Sequence, residues 1–351
     1  MNKIVFLHSL NNYTGSPNIL SIVIKGLIQC GYKAEIITSH GNGFLSNIKG
    51  ASYRYTCYQW CKSQATTLFL LILSQTEMFF HCLFGSRKHL YYINSIIPFG
   101  AFIACWITRK RYVIHIHEDI QQNKTLYRVL KQIYRVCNKK SIFVSEYVMQ
   151  QALYYRNGVV IANALPDEFF EITNQNERKR KNILMISSLR RFKGIYEFVT
   201  LAKMLPEYSF ELVLSATDNE VKSFQSEIGV VPNLTVYSFQ TDVHFFYQRS
   251  LLLLQLSHPN NWIETFGLTI LEAMAYGIPV IAPNIGGPVE LVENGVNGYT
   301  VDPLDVLTIS NQIKTLMRDK SLYQQLSANA KRKSTDYTEK KMITEIERYI
   351  K

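Results

Sequence analysis

Two carboxylates eight positions apart, Glu264 and Glu272, lie in the string Trp262-Ile-Glu264-Thr-Phe266-Gly267-Leu268-Thr269-Ile-Leu-Glu272-Ala-Met-Ala-Tyr-Gly277-Ile-Pro279. The run at 251–256 before it is continuously apolar, as a buried parallel strand requires. A loop with His258, Pro259 and Glu264 follows, and Phe266-Gly267 then starts a helix that Gly277 ends. At such a start the N–H groups of Gly267, Leu268 and Thr269 have no partner within the helix and suit a diphosphate. Glu272, in the second turn, can accept from two vicinal hydroxyls such as those of a ribose, and Glu264 can approach a sugar on that diphosphate. A plain strand-loop-helix with two surface glutamates is the bland alternative. The acid spacing, the aromatic-glycine start and the Gly-x-Pro exit weigh against it.

Three further clusters carry candidate chemistry. Ser187-Ser188-Leu-Arg190-Arg191-Phe-Lys193-Gly194 directly follows an expected strand, and fixed cations there would stabilise negative charge growing on a departing group. His115-Ile-His117-Glu118 ends another strand and puts two imidazoles on one face. No third ligand has metal-site spacing, so no metal is expected. In Asn11-Asn-Tyr-Thr-Gly15-Ser16-Pro17, Gly15 allows close backbone approach, Ser16 is placed to cap a helix and Pro17 suits its first turn. The Gly-x-Gly-x-x-Gly fingerprint of dinucleotide enzymes is absent.

The elements that must position these groups alternate strand and helix from end to end, the pattern of parallel α/β domains. Strands are expected at 3–8, 34–38, 89–93, 112–115, 141–145 and 159–161, then at 182–187, 210–214, 234–237, 251–256, 279–282 and 299–301. Helices are expected at 18–30, 196–204, 243–250, 268–276, 304–318 and 338–351. The apolar stretches 66–73 and 96–107 read as buried helices, short of the roughly 20 residues a bilayer span needs. Four segments result: a first domain at 1–165, a linker at 166–181, a second domain at 182–335 and a terminal helix at 336–351 that docks on a domain surface.

At 351 residues and 47% apolar composition the chain is globular and long enough for two such domains. Its opening residues run straight into a strand, so no secretory leader is expected. Six unclustered cysteines fit free thiols in a reducing cytosol. Residues 1–165 hold 18 Lys+Arg against 5 Asp+Glu, a balance of +13, whereas the remainder holds 20 against 22, a balance of −2. The imbalance suggests that the first half faces something anionic, a phospholipid surface, a diphosphate-linked acceptor or nucleic acid, with ordinary solubilising charge as the bland alternative. No nucleic-acid recognition motif is present, so nucleic acid is not expected as a partner.

The Glu264–Pro279 string resembles the donor-site signature of glycosyltransferase family 4, retaining enzymes of GT-B fold. Gly286-Gly287-Pro-Val-Glu290 and the Asn297-Gly298 turn continue the match. The resemblance covers most of the second domain and the first only loosely. It implies two Rossmann-like doubly wound domains facing across a cleft, with a nucleotide-sugar donor as substrate and no cofactor. Glu272 would hold the ribose, Glu264 the donor sugar, Lys193 the phosphates, and His117 would point toward the sugar from the first domain. Gly15 and Ser16, where the family often has two glycines, would line the cleft. Where the family has an arginine this chain has Ser188. Either Arg190 or Arg191 supplies the second cation, or Lys193 acts mainly alone. The implied function is transfer of a hexose-type sugar from a UDP- or GDP-sugar to a saccharide, polyprenyl-diphosphate-linked acceptor in bacterial O-antigen or capsule synthesis. Its place would be the cytoplasm, peripherally on the inner face of the plasma membrane. A nucleotide-sugar epimerase of the same fold and a silent nucleotide-sugar-binding subunit are the alternatives.

Overall fold

The computed structural model describes residues 3–119, 125–152, 157–173 and 181–351. The chain divides into two compact units, one of Met1–Ala164 with Glu339–Lys351, the other of Leu165–Thr338. Unit 1 runs β1 (Lys3–Leu7), α1 (Gly15–Gln29), β2 (Lys33–Ser39), β3 (Ala51–Thr56), α2 (Gln64–Phe84), β4 (Leu90–Asn94) and α3 (Phe99–Ile107). It continues through β5 (Arg111–Ile116), α4 (Thr125–Cys137), β6 (Ser141–Phe143), α5 (Glu146–Gln151) and β7 (Gly158–Val160). All its strands are parallel, in the order β3-β2-β1-β4-β5-β6-β7.

Unit 2 begins with α6 (Asp167–Thr173), β8 (Asn182–Ser188), α7 (Ile195–Met204), β9 (Ser209–Ser215), α8 (Asp218–Ile228), β10 (Leu234–Tyr237) and α9 (His244–Gln248). There follow β11 (Ser250–Leu254), α10 (Leu268–Ala275), β12 (Val280–Pro283), α11 (Pro288–Leu291), β13 (Gly298–Val301), α12 (Val306–Arg318) and α13 (Lys320–Ser334). Its parallel sheet has the order β10-β9-β8-β11-β12-β13. The central strands β8, β11 and β12 are buried, nearly continuous apolar runs, while the edge strands β10 and β13 are half-buried. Ile183, Leu212, Leu252 and Leu254 pack in one core with Phe198 of α7 and Ile309 and Ile313 of α12.

In each sheet the strand order reverses once beside the first strand, between β1 and β4 and between β8 and β11. At such a switch point neighbouring crossovers leave on opposite faces and open a crevice at the carboxyl ends of the strands. The last helix, α14 (Glu339–Ile350), belongs to unit 1. Ile343 fills the space beside Gly26 of α1, where a Cβ would lie 2.5 Å from Ile343 Cγ1. Tyr349 Oη donates to Asn157 O at 2.8 Å, and Arg111 donates to Ile350 O at 3.0 Å.

Several expectations change. Within the expected linker, residues 167–173 form α6, and 174–180 lie outside the described residues. The helix expected at 243–250 stops at Gln248, because Ser250 already starts β11. Ser16 is not a helix cap: α1 begins at Gly15 after Thr14 and holds Ser16 in its first turn. The stretch 66–73 is not a buried helix but part of α2, which is long and apolar enough to cross a bilayer and leaves Phe69 64% exposed.

Candidate active site

The unit 2 candidates meet where β8 and β11 diverge. After β8 the chain makes a single 3-10 turn, Arg191–Lys193, and then Gly194 takes φ +80°. A Cβ on Gly194 would lie 2.1 Å from Leu256 O, so glycine alone lets the turn rest on the chain leaving β11. A bond from His258 N–H to Phe192 O at 2.8 Å fixes the two segments. Lys193 Nζ consequently sits 2.9 Å from Glu264 Oε2 and 4.8 Å above the Trp262 ring. Gln255 Nε2 donates to the same carboxylate oxygen at 3.3 Å and to Ser257 Oγ at 2.7 Å. The Lys193 and Glu264 side chains keep 16% and 23% of their exposure, enough for a ligand to reach them. Buried Gln255 Oε1 and Trp262 Nε1 have no hydrogen-bond partner among the described residues, a demand that a polar ligand could meet.

Two more glycines hold the Glu264 loop. Gly287 N–H donates to Glu264 O at 2.8 Å, and a Cβ there would lie 2.4 Å from Phe266 Cα. A Cβ at Gly286, which also has φ +85°, would meet Glu264 O at 2.4 Å. The Gly-Gly pair is therefore a flat backbone bed for residues 264–266. Gly267 next adopts φ +105°, and α10 starts at Leu268. Its first turn closes through Ile270 and Leu271 N–H onto Gly267 O at 3.0 and 3.1 Å. Among the described residues no hydrogen bond uses the N–H of Gly267, Leu268 or Thr269. Phe266 is buried, 6.0 Å from the Tyr337 ring, so it braces the helix start. In the second turn Glu272 Oε2 accepts from Tyr247 Oη at 2.6 Å. Desolvation pushes the Glu272 carboxyl up to about 7, against the opposing pull of the Tyr247 bond.

Arg190 and Arg191 do not join this cluster. Both are exposed, and the Arg191 guanidinium stacks 5.0 Å over Tyr196. His258 Nε2 lies 3.0 Å from Glu197 Oε2 without hydrogen-bond alignment, so it is close by distance only.

In unit 1 the candidates share one hub, Asn94, at the end of β4. Its amide donates to Ser16 Oγ at 2.8 Å, its side-chain nitrogen and backbone oxygen lie 3.1 and 3.2 Å from His8 Nδ1, and its side-chain oxygen meets His117 Nε2 at 2.9 Å. That pattern requires the proton of His117 on Nε2. Gly15 starts α1 directly beside this hub. His115, paired in register with Asn94, is wholly buried and shares its Nδ1 with Tyr92 Oη at 2.7 Å. Desolvation pulls His8 down to about 4, His115 to about 3, and His117 well below the usual range with help from its two neighbours. His117 is thereby held in its neutral form near pH 7, a dipole and not a cation. Among the described residues no group of three or more His, Cys, Asp or Glu is placed to hold a metal.

The model of the family described as glycosyl transferases group 1 matches residues 167–333. The match lies within unit 2 and takes in just under half of the chain. The matched segment contains Lys193, Glu264, Glu272 and the α10 start. An uncharacterized glycosyltransferase of Haemophilus influenzae is 25% identical over 197 residues, 54% of this chain and 55% of that protein. N-acetyl-alpha-D-glucosaminyl L-malate synthase of Bacillus anthracis is 30% identical over 158 residues, 43% of this chain and 40% of that enzyme. The matched part thus spans about half the length of these relatives. Among solved structures, Anabaena HepE in complex with UDP-glucose superposes with TM-score 0.81 at 20% identity, over 99% of this chain and 98% of that one. A glycosyltransferase from Rickettsia africae gives 0.80 at 19%, over 99% and 97%. The two parallel sheets are those of the GT-B glycosyltransferase structures.

Residue spacing missed Gln255, Trp262 and Tyr247. Trp262 stood inside the quoted string without a role, and neither Gln255 nor Tyr247 has a sequence signal, because each reaches its carboxylate only through the fold.

Proposed function

We propose that this chain is a retaining glycosyltransferase moving a hexose-type sugar from a UDP- or GDP-linked donor to a saccharide acceptor. One observation carries the reading: a lysine 2.9 Å from a carboxylate, beside a helix start with unbonded amides and a second carboxylate in its second turn. The amides of Gly267–Thr269 and Lys193 take the diphosphate, Glu272 the ribose hydroxyls, and Glu264 with Gln255 the sugar hydroxyls. In the reaction the sugar C1–O bond breaks and the nucleoside diphosphate leaves with the electron pair. The acceptor oxygen bonds C1 on the same face, and the acceptor proton passes to a departing phosphate oxygen. Lys193 opposes the charge growing on that phosphate, and Glu264 favours the positive charge at C1. With cation and amides in place no metal is called for, so a chelator should leave the rate unchanged. His117 is proposed as a neutral hydrogen-bond partner of the sugar. The acceptor is read as polyprenyl-diphosphate-linked, as in O-antigen or capsule synthesis, because residues 1–165 carry +13 against −2 in the rest.

The test is turnover of purified protein with UDP-, GDP- and dTDP-sugars, with and without saccharide acceptors, reading product anomers by NMR. Lys193→Ala should lower turnover about a hundredfold with little change in donor affinity, since charge grows only in the transition state. Glu272→Ala should weaken nucleotide binding roughly tenfold or more, the worth of charge-assisted bonds. Epimerised donor, or tight binding without turnover, would favour the epimerase or the silent subunit instead.

A further inference from the structure

Helix α2 is amphipathic in the wrong direction for a soluble surface. Its buried stripe includes Ser74 and Gln75 beside Leu71, Met78 and Cys82. Its outward arc carries Leu68, Phe69, Ile72, Leu73, Phe80 and Phe84, at 52, 64, 54, 41, 49 and 81% exposure. At 100° per residue these six positions fall within one half of the helix circumference. Close packing fixes the inward stripe: a Cβ on Gly100 of α3 would lie 2.1 Å from Gln75 O, and Gly100 N–H donates to Gln75 Oε1 at 3.2 Å. The helix therefore cannot roll its phenylalanines inward. Exposed apolar area of this extent on one element marks a contact surface.

Charge identifies the occupant. Between Cys57 and His117 the sequence has six cations and one acid, Glu77, whose carboxylate accepts from the Cys57 N–H at 3.1 Å. Lys62 precedes the helix; Arg87 and Lys88 follow it, all three exposed. Trp106 and Ile107, 45 and 55% exposed, end the adjacent helix α3, and a groove beside them is lined by Arg109 and Lys139. An apolar arc with cations at both ends matches an anionic bilayer surface, where acyl chains take the arc and headgroup phosphates the cations.

We propose that α2 is an in-plane membrane anchor: its Leu68–Phe84 face lies in the interface of an anionic bilayer, with Lys62, Arg87, Lys88 and Arg109 on lipid phosphates. The proposal rests on unit 1 alone, so failure of the donor assignment in unit 2 leaves it standing. Full-length protein is sedimented with vesicles of phosphatidylcholine, alone or with roughly 30% phosphatidylglycerol. The wild type should bind the anionic vesicles, and Phe69→Asp with Phe80→Asp should weaken that binding roughly tenfold or more. Unfolding temperature and donor hydrolysis in solution should stay unchanged, since both side chains face outward. Phe69→Leu with Phe80→Leu should retain binding. Equal binding by wild type and aspartate variant overturns the proposal. So does a dimer that the aspartates dissociate while wild type ignores vesicles, because a second copy would then cover the face. Wild type that resists alkaline extraction from vesicles would indicate spanning and equally overturn the in-plane anchor.

Discussion

Glu272 faces two opposed demands: to be useful to a ribose it must be an acceptor, yet its site disfavours the anion. Desolvation raises its carboxyl to about 7, while the Tyr247 hydroxyl pulls the other way. Two ribose hydroxyls would add donors that satisfy the carboxylate only, so donor and proton compete for one group. The sign follows directly. Above about pH 7 the carboxylate is ready and affinity is full; below it a proton must first leave, and affinity falls by up to tenfold per pH unit. Isothermal titration with a UDP-sugar should show this, because its diphosphate diester does not titrate in that range. Glu272→Gln should bind more weakly and lose the pH slope. A slope that persists in Glu272→Gln would place the titrating group elsewhere. In the unliganded protein the same shift lowers stability as pH rises from 4.5 toward 7, since the folded state holds the proton that the unfolded chain releases.

At the scale of elements, the site exists because three glycines bring three loops to van der Waals distance. Gly287 is the informative one. Its φ of −59° is open to any residue, so alanine there meets only a steric obstacle, Phe266 Cα at 2.4 Å. Gly287→Ala should destabilise unit 2 by about 1–3 kcal/mol through overpacking and move residues 264–266 away from Lys193. Turnover should fall more than nucleoside affinity, because Glu272 lies beyond the disturbed loop. Gly295→Ala, with φ +75° and no atom within 4 Å of its Cβ, isolates the backbone cost, roughly 1 kcal/mol. Urea midpoints and turnover measured together check the pair, and equal effects in both variants would remove the steric argument. The Gly286-Gly287 pattern was legible in the sequence, but its purpose was not, since the contact joins residues that only the fold brings together. All six unit 2 strands could be read: β8, β11 and β12 are buried, nearly continuous apolar runs, and the edge strands β10 and β13 keep short β-branched and aromatic stretches. β3 could not: its Ser52-Tyr-Arg-Tyr stretch lies at the sheet edge, half solvated. Helix α2 was placed but turned inside out, since an apolar run does not say which face is covered.

For the whole molecule, acid should separate the two units, because lowered histidines prevail in unit 1, where the raised carboxyl of Glu118 offsets only part of their effect, whereas Glu272 and a single lowered histidine face each other in unit 2. Unit 1 holds His8, His115 and His117, all pulled down by desolvation, His8 to about 4 and His115 to about 3. The unfolded chain takes up their protons near pH 6.5, while the folded unit refuses them until far lower pH. Stability is thus complete above about pH 6.5 and declines below it, by up to about 1.4 kcal/mol per pH unit for each histidine. The helix that closes unit 1 offers no relief, since Glu347 of α14, which accepts from Tyr32 Oη at 3.3 Å, is held below the usual range chiefly by its bond to Lys351 and so favours the fold only while ionised. In unit 2 Glu272 gains stability over the same interval, and His244, lowered chiefly by desolvation, offsets part of that gain. Between about pH 7 and about pH 5, calorimetry should therefore show the unit 1 transition moving to lower temperature well ahead of the unit 2 transition. His115→Asn keeps a polar atom near the Tyr92 hydroxyl and removes the imidazole, so it should abolish about one histidine's share of the unit 1 slope. Were the slope unchanged in His115→Asn, or were unit 2 the first to melt in acid, the buried histidines would not be what limits this fold at low pH.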